Sequence, residues 1–362
     1  MDKLLWLTPC LHSGPLRDGL SHDLASVRYR LLSPARTLAR TGFSSDIINP
    51  AEAQDVSGLD LSGFAAMVIG KHAHSDPAVV KALGDRFIEL AKIAHGQGVR
   101  TIADVCDDRF EHPLLGAYWR ELVQRVDHVV AGSEELAQIA RKHTAARVTT
   151  IADPVEGERA DARFGPPRRR GAIARMTGAA PQSLKLLWYG HQSNLDEIEQ
   201  FLPKLAAWAG AQNTVDALTL TIVSASGFGA EDFTACHGGA GQGPLHVAFT
   251  PWSAVAQQQA LRDCDLVIIP ATLVSAEKRV KTANRLTEAL WAGRHVLAHP
   301  VPSYLEFRDC AWISEDLIAG LGAALRHPAG VLRQVQAGQE VISRRYSPQA
   351  VGQLWSDAVR GA

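Results

Sequence analysis

Residues 280–300 read VKTANRLTEALWAGRHVLAHP. Taken as a helix over Thr282–Ala292 at about 100° per residue, the stretch gathers Lys281, Asn284, Arg285 and Glu288 into roughly a 100° arc and turns Ala283, Leu286 and Leu290 the other way. One face is core and the other is polar. Gly293 suits the left-handed position that closes a helix, and His295-Val-Leu-Ala then returns as a short buried strand. Helix, glycine and buried strand in that order make one step of an alternating α/β chain.

Working outward, the same alternation runs through the sequence. In the first half the expected strands are Leu4–Thr8, Ser45–Ile48, Ala65–Gly70, Arg100–Val105, Val126–Ala131 and Val148–Ala152, with helical patterns at Ser33–Arg40, Ala78–His95, Leu114–Val123 and Glu134–His143. From Val155 to Ser183 the periodicity stops, and Pro166–Arg170 reads PPRRR, as expected of a linker and hinge. It restarts with strand Lys185–Tyr189, helix Asn194–Ala209, strands Leu218–Ser224 and Leu245–Phe249, helix Ser253–Arg262 and strand Asp265–Pro270. Helices Leu317–Arg326, Val331–Ser343 and Pro348–Val359 close the chain. The expectation is an α/β protein of two Rossmann-like, doubly wound parallel-sheet domains facing a cleft. Their expected bounds are residues 1–170 and 171–345, with 346–362 as a terminal helix returning to the first domain through Tyr346, Trp355 and Val359.

Composition bounds what such a protein does. The chain has 362 residues, 37 Lys plus Arg against 38 Asp plus Glu, a formal net charge of −1 and 46% hydrophobic residues. Charge this balanced lacks the footprint of a general nucleic-acid binder, and 21% charged residues with ample aliphatics excludes intrinsic disorder. The five cysteines form no CxxC, which points away from a disulfide framework and towards the cytoplasm. Pro9 interrupts the apolar start, a poor signal peptide, and no run approaches the ~18–20 apolar residues of a membrane span, so membrane contact is peripheral at most.

The polar face of 280–300 suits a nucleoside diphosphate. A helix N-terminus with Lys281 and Arg285 would meet the phosphates, and Glu288 offers two acceptor oxygens to the two donors of a ribose diol. A solvated helix face with i,i+4 pairs is the alternative. Lys278, Arg279, Lys281 and Arg285 concentrate positive charge here in an otherwise neutral chain.

The block KTANRLTEALWAGRHVLAHPVPSY resembles the donor-site segment of GT-B glycosyltransferases of the family 4 kind, the glycosyl transferases group 1. LRDCDLVIIP is similar to their preceding strand, KLLWYGHQSNLDEI to the opening of their C-terminal domain, and VVAGSEELAQIARKH to a late N-terminal βα unit. The resemblance implies a nucleotide-sugar donor and a glycan or lipid-linked acceptor, with no cofactor and no obligatory metal. It implies that Glu288 is the ribose-binding second acid of an E-x7-E motif, that Lys281 and Arg285 form the diphosphate-binding pair, and that Gly190 and His191 form a phosphate-facing loop. The first acid of that motif is missing, because position 280 is Val280.

On the acceptor side, HSGPLRDG and SVRYRLLSPARTLARTGF are similar to the first loop and helix of such enzymes. Arg28 and Arg30 there either hold an anion or are solvated. Strand Ala65–Gly70 leads to Lys71, His72, Ala73 and His74; the resemblance often places a histidine near the reacting centre, and His74 is the candidate base or sugar ligand, with an ordinary loop histidine as the alternative. Two histidines without a third partner make a poor metal site. Strand Arg100–Val105 opens ADVCDDRFEHP, where Asp104 is a candidate catalytic base and Asp107 and Asp108 are expected chiefly to cap the helix that follows or to pair with Arg109.

Other classes fit less well. The first βα turn lacks GxGxxG, and Gly227-Phe-Gly229 is followed by Asp232 where a third glycine belongs, which argues against a dehydrogenase; no P-loop pattern is present. A sugar-nucleotide epimerase of the same architecture and a non-catalytic sugar-nucleotide-binding subunit are the alternatives to a transferase.

Overall fold

The computed structural model describes residues 2–52, 56–72, 74, 76–166, 183–225, 245–274 and 276–362. Part of the expected linker (167–182), Ala73, Cys236 and the Gly227-Phe-Gly229 stretch with Asp232 lie outside the described residues. The chain divides into two compact units. One comprises Met1–Pro154, Arg279–Thr282 and Arg345–Ala362, and the other Val155–Lys278 and Ala283–Arg344.

In the first unit, β1 (Asp2–Leu7), β2 (Gly14–Pro15), β3 (Phe43–Ile48), β4 (Ala66–Ile69), β5 (Arg100–Val105), β6 (His128–Ala131) and β7 (Arg147–Thr150) form a sheet in the order β2-β3-β1-β4-β5-β6-β7. It is parallel except for the two-residue β2. Its central strands are buried on both faces, so Leu4, Leu5 and Leu7 are wholly enclosed and the sequence shows unbroken apolar runs. One face is covered by α2 (Pro77–Gly96), α3 (Gly116–Arg125) and α4 (Glu134–Ala140), through Phe87, Trp119, Leu122 and Leu136. The other carries α1 (Ser33–Ala39), preceded by a π turn at Arg28–Leu32.

The second unit has β8 (Ser183–Tyr189), β9 (Ala217–Ser224), β10 (Leu245–Pro251), β11 (Leu266–Ile269), β12 (His295–Ala298) and β13 (Trp312–Ile313) in the order β10-β9-β8-β11-β12-β13, with every pairing parallel. Its helices are α5 (Leu202–Ala211), α6 (Ala254–Asp263), α7 (Asn284–Trp291), α8 (Leu317–Arg326) and α9 (Pro328–Arg345). The chain then returns to the first unit as α10 (Pro348–Arg360), where Trp355 meets Trp6 of β1 at a ring separation of 5.8 Å. Side-chain caps mark several helix starts, among them Asp76 on Ala78 N, Ser133 on Leu136 N and Ser253 on Ala256 N.

Three sequence expectations change. The helix expected over Asn194–Ala209 is two, Leu195–Glu199 and α5, because Pro203 has no N–H to give and its ring would strike the carbonyl one turn earlier. The described part of the expected linker, residues 155–166, has no regular structure, yet Val155 and Phe164 are buried and Ala160 N donates to Trp291 O and Arg163 N to Gly293 O. Gly293 ends α7 with φ +76°, and a Cβ there would lie 2.1 Å from Asp161 O.

The third concerns the start of α7, which begins at Asn284 rather than Thr282, so Lys281 lies outside the helix rather than at its threshold. Residues Arg279–Thr282 are instead bound into the first unit: Ser133 Oγ donates to Val280 O at 2.7 Å, Lys281 Nζ to Asp107 at 2.8 Å, and Thr282 Oγ1 to Asp153 at 3.0 Å.

Candidate functional site

In the second unit, β8 delivers Tyr189 and Gly190 to its carboxyl end, where open α/β sheets bind ligands. The Tyr189 hydroxyl donates to Arg285 O at 2.6 Å, which ties the first turn of α7 to this strand end. A Cβ on Gly190 would sit 3.2 Å from the Trp188 ring, a tight contact, and 3.4 Å from Arg285 Nη1, so the loop and the guanidinium are close neighbours. That guanidinium lies 5.9 Å from the Trp188 ring centroid, and its charge works against the burial that raises the Tyr304 pKa, while its Nη1 is buried with no hydrogen-bond partner among the described residues. The N-cap position, Ala283, has no side chain able to cap, leaving the first amides of α7 without that protection.

One turn along, Glu288 is 3% exposed, and its Oε2 accepts from Gln257 Nε2 at 2.9 Å. Trp252 Nε1 donates to the other end of the same amide at 2.8 Å, which fixes the orientation Gln257 presents. Burial, with the Glu288 charge adding to it, holds the Tyr189 phenol well above its usual pKa, so it stays a donor. Beside this set, Glu197 accepts from Thr272 N at 3.1 Å and pairs with Lys278 at 3.1 Å, and its Oε2 is buried without a hydrogen-bond partner among the described residues. His191 is exposed; its Nδ1 accepts from Ser193 N at 3.2 Å and caps the turn Gln192–Asn194.

The candidates of the first unit are placed differently. Arg30 is neither a solvated arginine nor one available to an anion. It is 4% exposed, donates through Nε to both oxygens of Asp104 and through Nη2 to Asp104 Oδ1 at 2.5 Å, and through Nη1 to Ile151 O and to Asp153 at 3.1 Å. Burial works against its charge, but Asp104 and Asp153 outweigh burial and raise its pKa. Asp104 is 2% exposed, with a pKa raised by burial against the pull of Arg30. Asp107 does not cap a helix. Both Lys71, at 2.5 Å, and Lys281, at 2.8 Å, converge on it, and although burial opposes them they hold its carboxyl well below the usual range. Asp108 accepts from Phe110 N at 3.3 Å. His72 is buried against Phe87 and Tyr118 with its Nε2 2.9 Å from Val80 O, and burial lowers its pKa. His74 is exposed, its Nδ1 accepting from Asp76 N at 3.0 Å.

The structure therefore brings Gly190, Arg285 and Glu288 around Tyr189, with His191 at the end of the same strand, and places Lys281, Asp104 and His74 in the first unit. Gln257, Glu197 and Tyr304 were not singled out in the sequence. Only Glu197 carried a signal, as an acid inside the apolar spacing of Leu195 and Ile198.

No family model and no curated sequence matches the chain. Solved structures do. Anabaena HepE in complex with UDP-glucose is 12% identical and aligns over 99% of this chain and 100% of its own, with a TM-score of 0.63. An E. coli structure described as trehalose-6-phosphate bound with UDP-2-fluoro glucose is 11% identical, over 100% and 99% of the two chains, at 0.61. The trehalose-6-phosphate synthase OtsA is 12% identical, over 99% and 91%, at 0.60. With two parallel α/β sheets and these neighbours, the chain has the two-domain, Rossmann-like GT-B fold.

Proposed function

We propose that the protein is a glycosyltransferase of the family 4 kind that moves a hexosyl or related sugar from a nucleotide-activated donor to a glycan or lipid-linked acceptor, without a metal. The observation that carries this reading is the convergence of Gly190, the unpartnered Arg285 Nη1 and the buried Glu288 on Tyr189. Glu288, oriented by Gln257, accepts from the ribose diol. Arg285 and the first amides of α7 meet the diphosphate, and Arg285 compensates the charge that develops as the diphosphate departs. Gly190 lets a phosphate approach the backbone, and His191 lies at the edge of that loop. Lys281 and Asp104, held in ion pairs, act as positioning residues, and His74 is the candidate proton acceptor of the first unit. UDP sugars are the first donors to try, because they occupy the HepE and E. coli neighbours.

Cys10, Cys106, Cys264 and Cys310 are free thiols, which supports a reducing, cytoplasmic setting, and no helix among the described residues is long and apolar enough to cross a membrane. One observation favours keeping a binding-only reading or an epimerase: Val280, where the family resemblance expects an acid, is 3% exposed in the core of the first unit. A thermal-shift screen of nucleoside diphosphates and UDP sugars tests the donor site, since a ligand of the native state raises the melting temperature. Product analysis with and without acceptor then separates transfer from epimerisation. A wild-type shift with UDP that persists undiminished in Glu288→Ala overturns the site.

A further inference from the structure

The first unit contains a cavity of about 260 Å³ at the carboxyl ends of β1, β4 and β5, and every residue lining it belongs to that unit. Its walls are apolar, with Trp6, Leu24, Val27, Leu31 and Val68 facing inward. Leu24, at the wall, is 50% exposed and sits at the mouth beside the buried Val27 and Leu31, which continues the apolar lining to the surface. Arg30 and Asp104 also line the space, but their charges are spent on each other, on Asp153 and on Ile151 O. A ligand hydroxyl buried against them would find its partners engaged, and a polyol would lose more hydrogen bonds to water than it gained. One edge differs. Lys71 is a third exposed, and its ammonium carries three donors, one of which is given to Asp107. Thr8 and Ser26 line the same space. The volume lies just below the ~300–1,000 Å³ of drug-sized pockets, enough for one ring or a short alkyl body.

We propose that this cavity selects the acceptor and narrows the broad acceptor class proposed above to one that presents a compact apolar body, an alcohol or phenol rather than a bare glycan, which enters among Trp6, Val27 and Leu31 while its hydroxyl stays beside Lys71. The assignment as acceptor rests on the glycosyl-transfer reading; the preference for an apolar body rests on the cavity alone.

Saturation-transfer NMR on the full chain tests it with 4-nitrophenol and cyclohexanol as probes and glucose as the polar control. Saturable transfer to both probes and none to glucose is expected. Leu24→Asp, an exposed position that spares the core, should weaken both probes at least 10-fold. Val274→Asp, a substitution at another exposed apolar residue in the second unit, should leave them unchanged. Equal transfer to glucose, no transfer to the probes, or equal loss in both variants overturns the proposal. UDP binding, measured on the same samples by thermal shift, reports separately on the donor reading. Probe binding without any nucleotide shift would sink the acceptor assignment while leaving the apolar site, and a nucleotide shift without probe binding would do the reverse.

Discussion

At the carboxyl end of β5, opposite charges of the first unit meet: Arg30 with Asp104 and Asp153, Lys71 and Lys281 with Asp107. At the carboxyl end of β8 the second unit is arranged otherwise. Glu288 receives a neutral amide, and Arg285 Nη1 and Glu197 Oε2 are buried without hydrogen-bond partners among the described residues. Both places concentrate titratable side chains where an open sheet binds ligands, but in the first the chain itself supplies the partners of the charges. Buried polar atoms are ordinarily satisfied, so the second reads as a surface completed by something from outside.

The sharpest way to break that contrast is Arg30→Met. Removing the guanidinium leaves Asp104 and Asp153 buried and facing each other, and losing one partner of such a network costs about 3–5 kcal/mol. Urea unfolding measures it, and a loss below ~1 kcal/mol would mean that the first network is not the stabilising one. Acid comes next and treats the two units alike. Burial lowers His295, and His128 largely for the same reason, to a pKa of about 4 from 6.5. Between those values the unfolded chain binds a proton that the folded imidazole refuses, so stability falls as pH falls through that window, by about 3 kcal/mol for His295. Unfolding midpoints at pH 7 and 4.5 should show it, with a flatter slope in His295→Gln.

In the second unit, Arg285→Ala should lower affinity for a nucleoside diphosphate about 10- to 100-fold, the equivalent of one charge-assisted bond, while shifting unfolding by less than ~1 kcal/mol. Calorimetric titration beside a melt reads both. The reverse pattern, stability lost and affinity kept, would place Arg285 in the same category as Arg30. Gly190→Ala is the mildest: its Cβ would press on Trp188 and Arg285 Nη1 at 3.2 and 3.4 Å, and a severalfold loss of nucleotide affinity with an almost unchanged melting temperature is expected.

Much of the fold was legible because fully buried parallel strands leave continuous apolar runs. Arg100–Val105 and His295–Ala298 fall where the sequence puts them. The strand order could not be read, since it depends on which strands pair and not on where they occur. At Pro203 the apolar spacing continues across the break, so the spacing suggests one helix where the missing N–H makes two. Gly190, Arg285 and Glu288 were legible as a set because residues on one short helix, or at one strand end, share a neighbourhood fixed by local geometry. Arg30 was not, because its burial depends on Asp104 and Asp153, 74 and 123 positions away. Lys281 leaves the helical pattern for a related reason: the spacing continues past the point where Val280 O, Lys281 Nζ and Thr282 Oγ1 bond Ser133, Asp107 and Asp153 of the first unit.

The return of α10 to β1 has a consequence for synthesis. Val351, Trp355, Ala358 and Val359 belong to the same core as Leu4 and Trp6, so the first sheet emerges from the ribosome with one face only partly covered, by α1 and the turn before it. About 200 residues, including the whole second unit, are translated in between, roughly 10–40 s at ordinary elongation rates. During that interval the half begun first must wait with apolar surface open, and the half begun second can be complete before it.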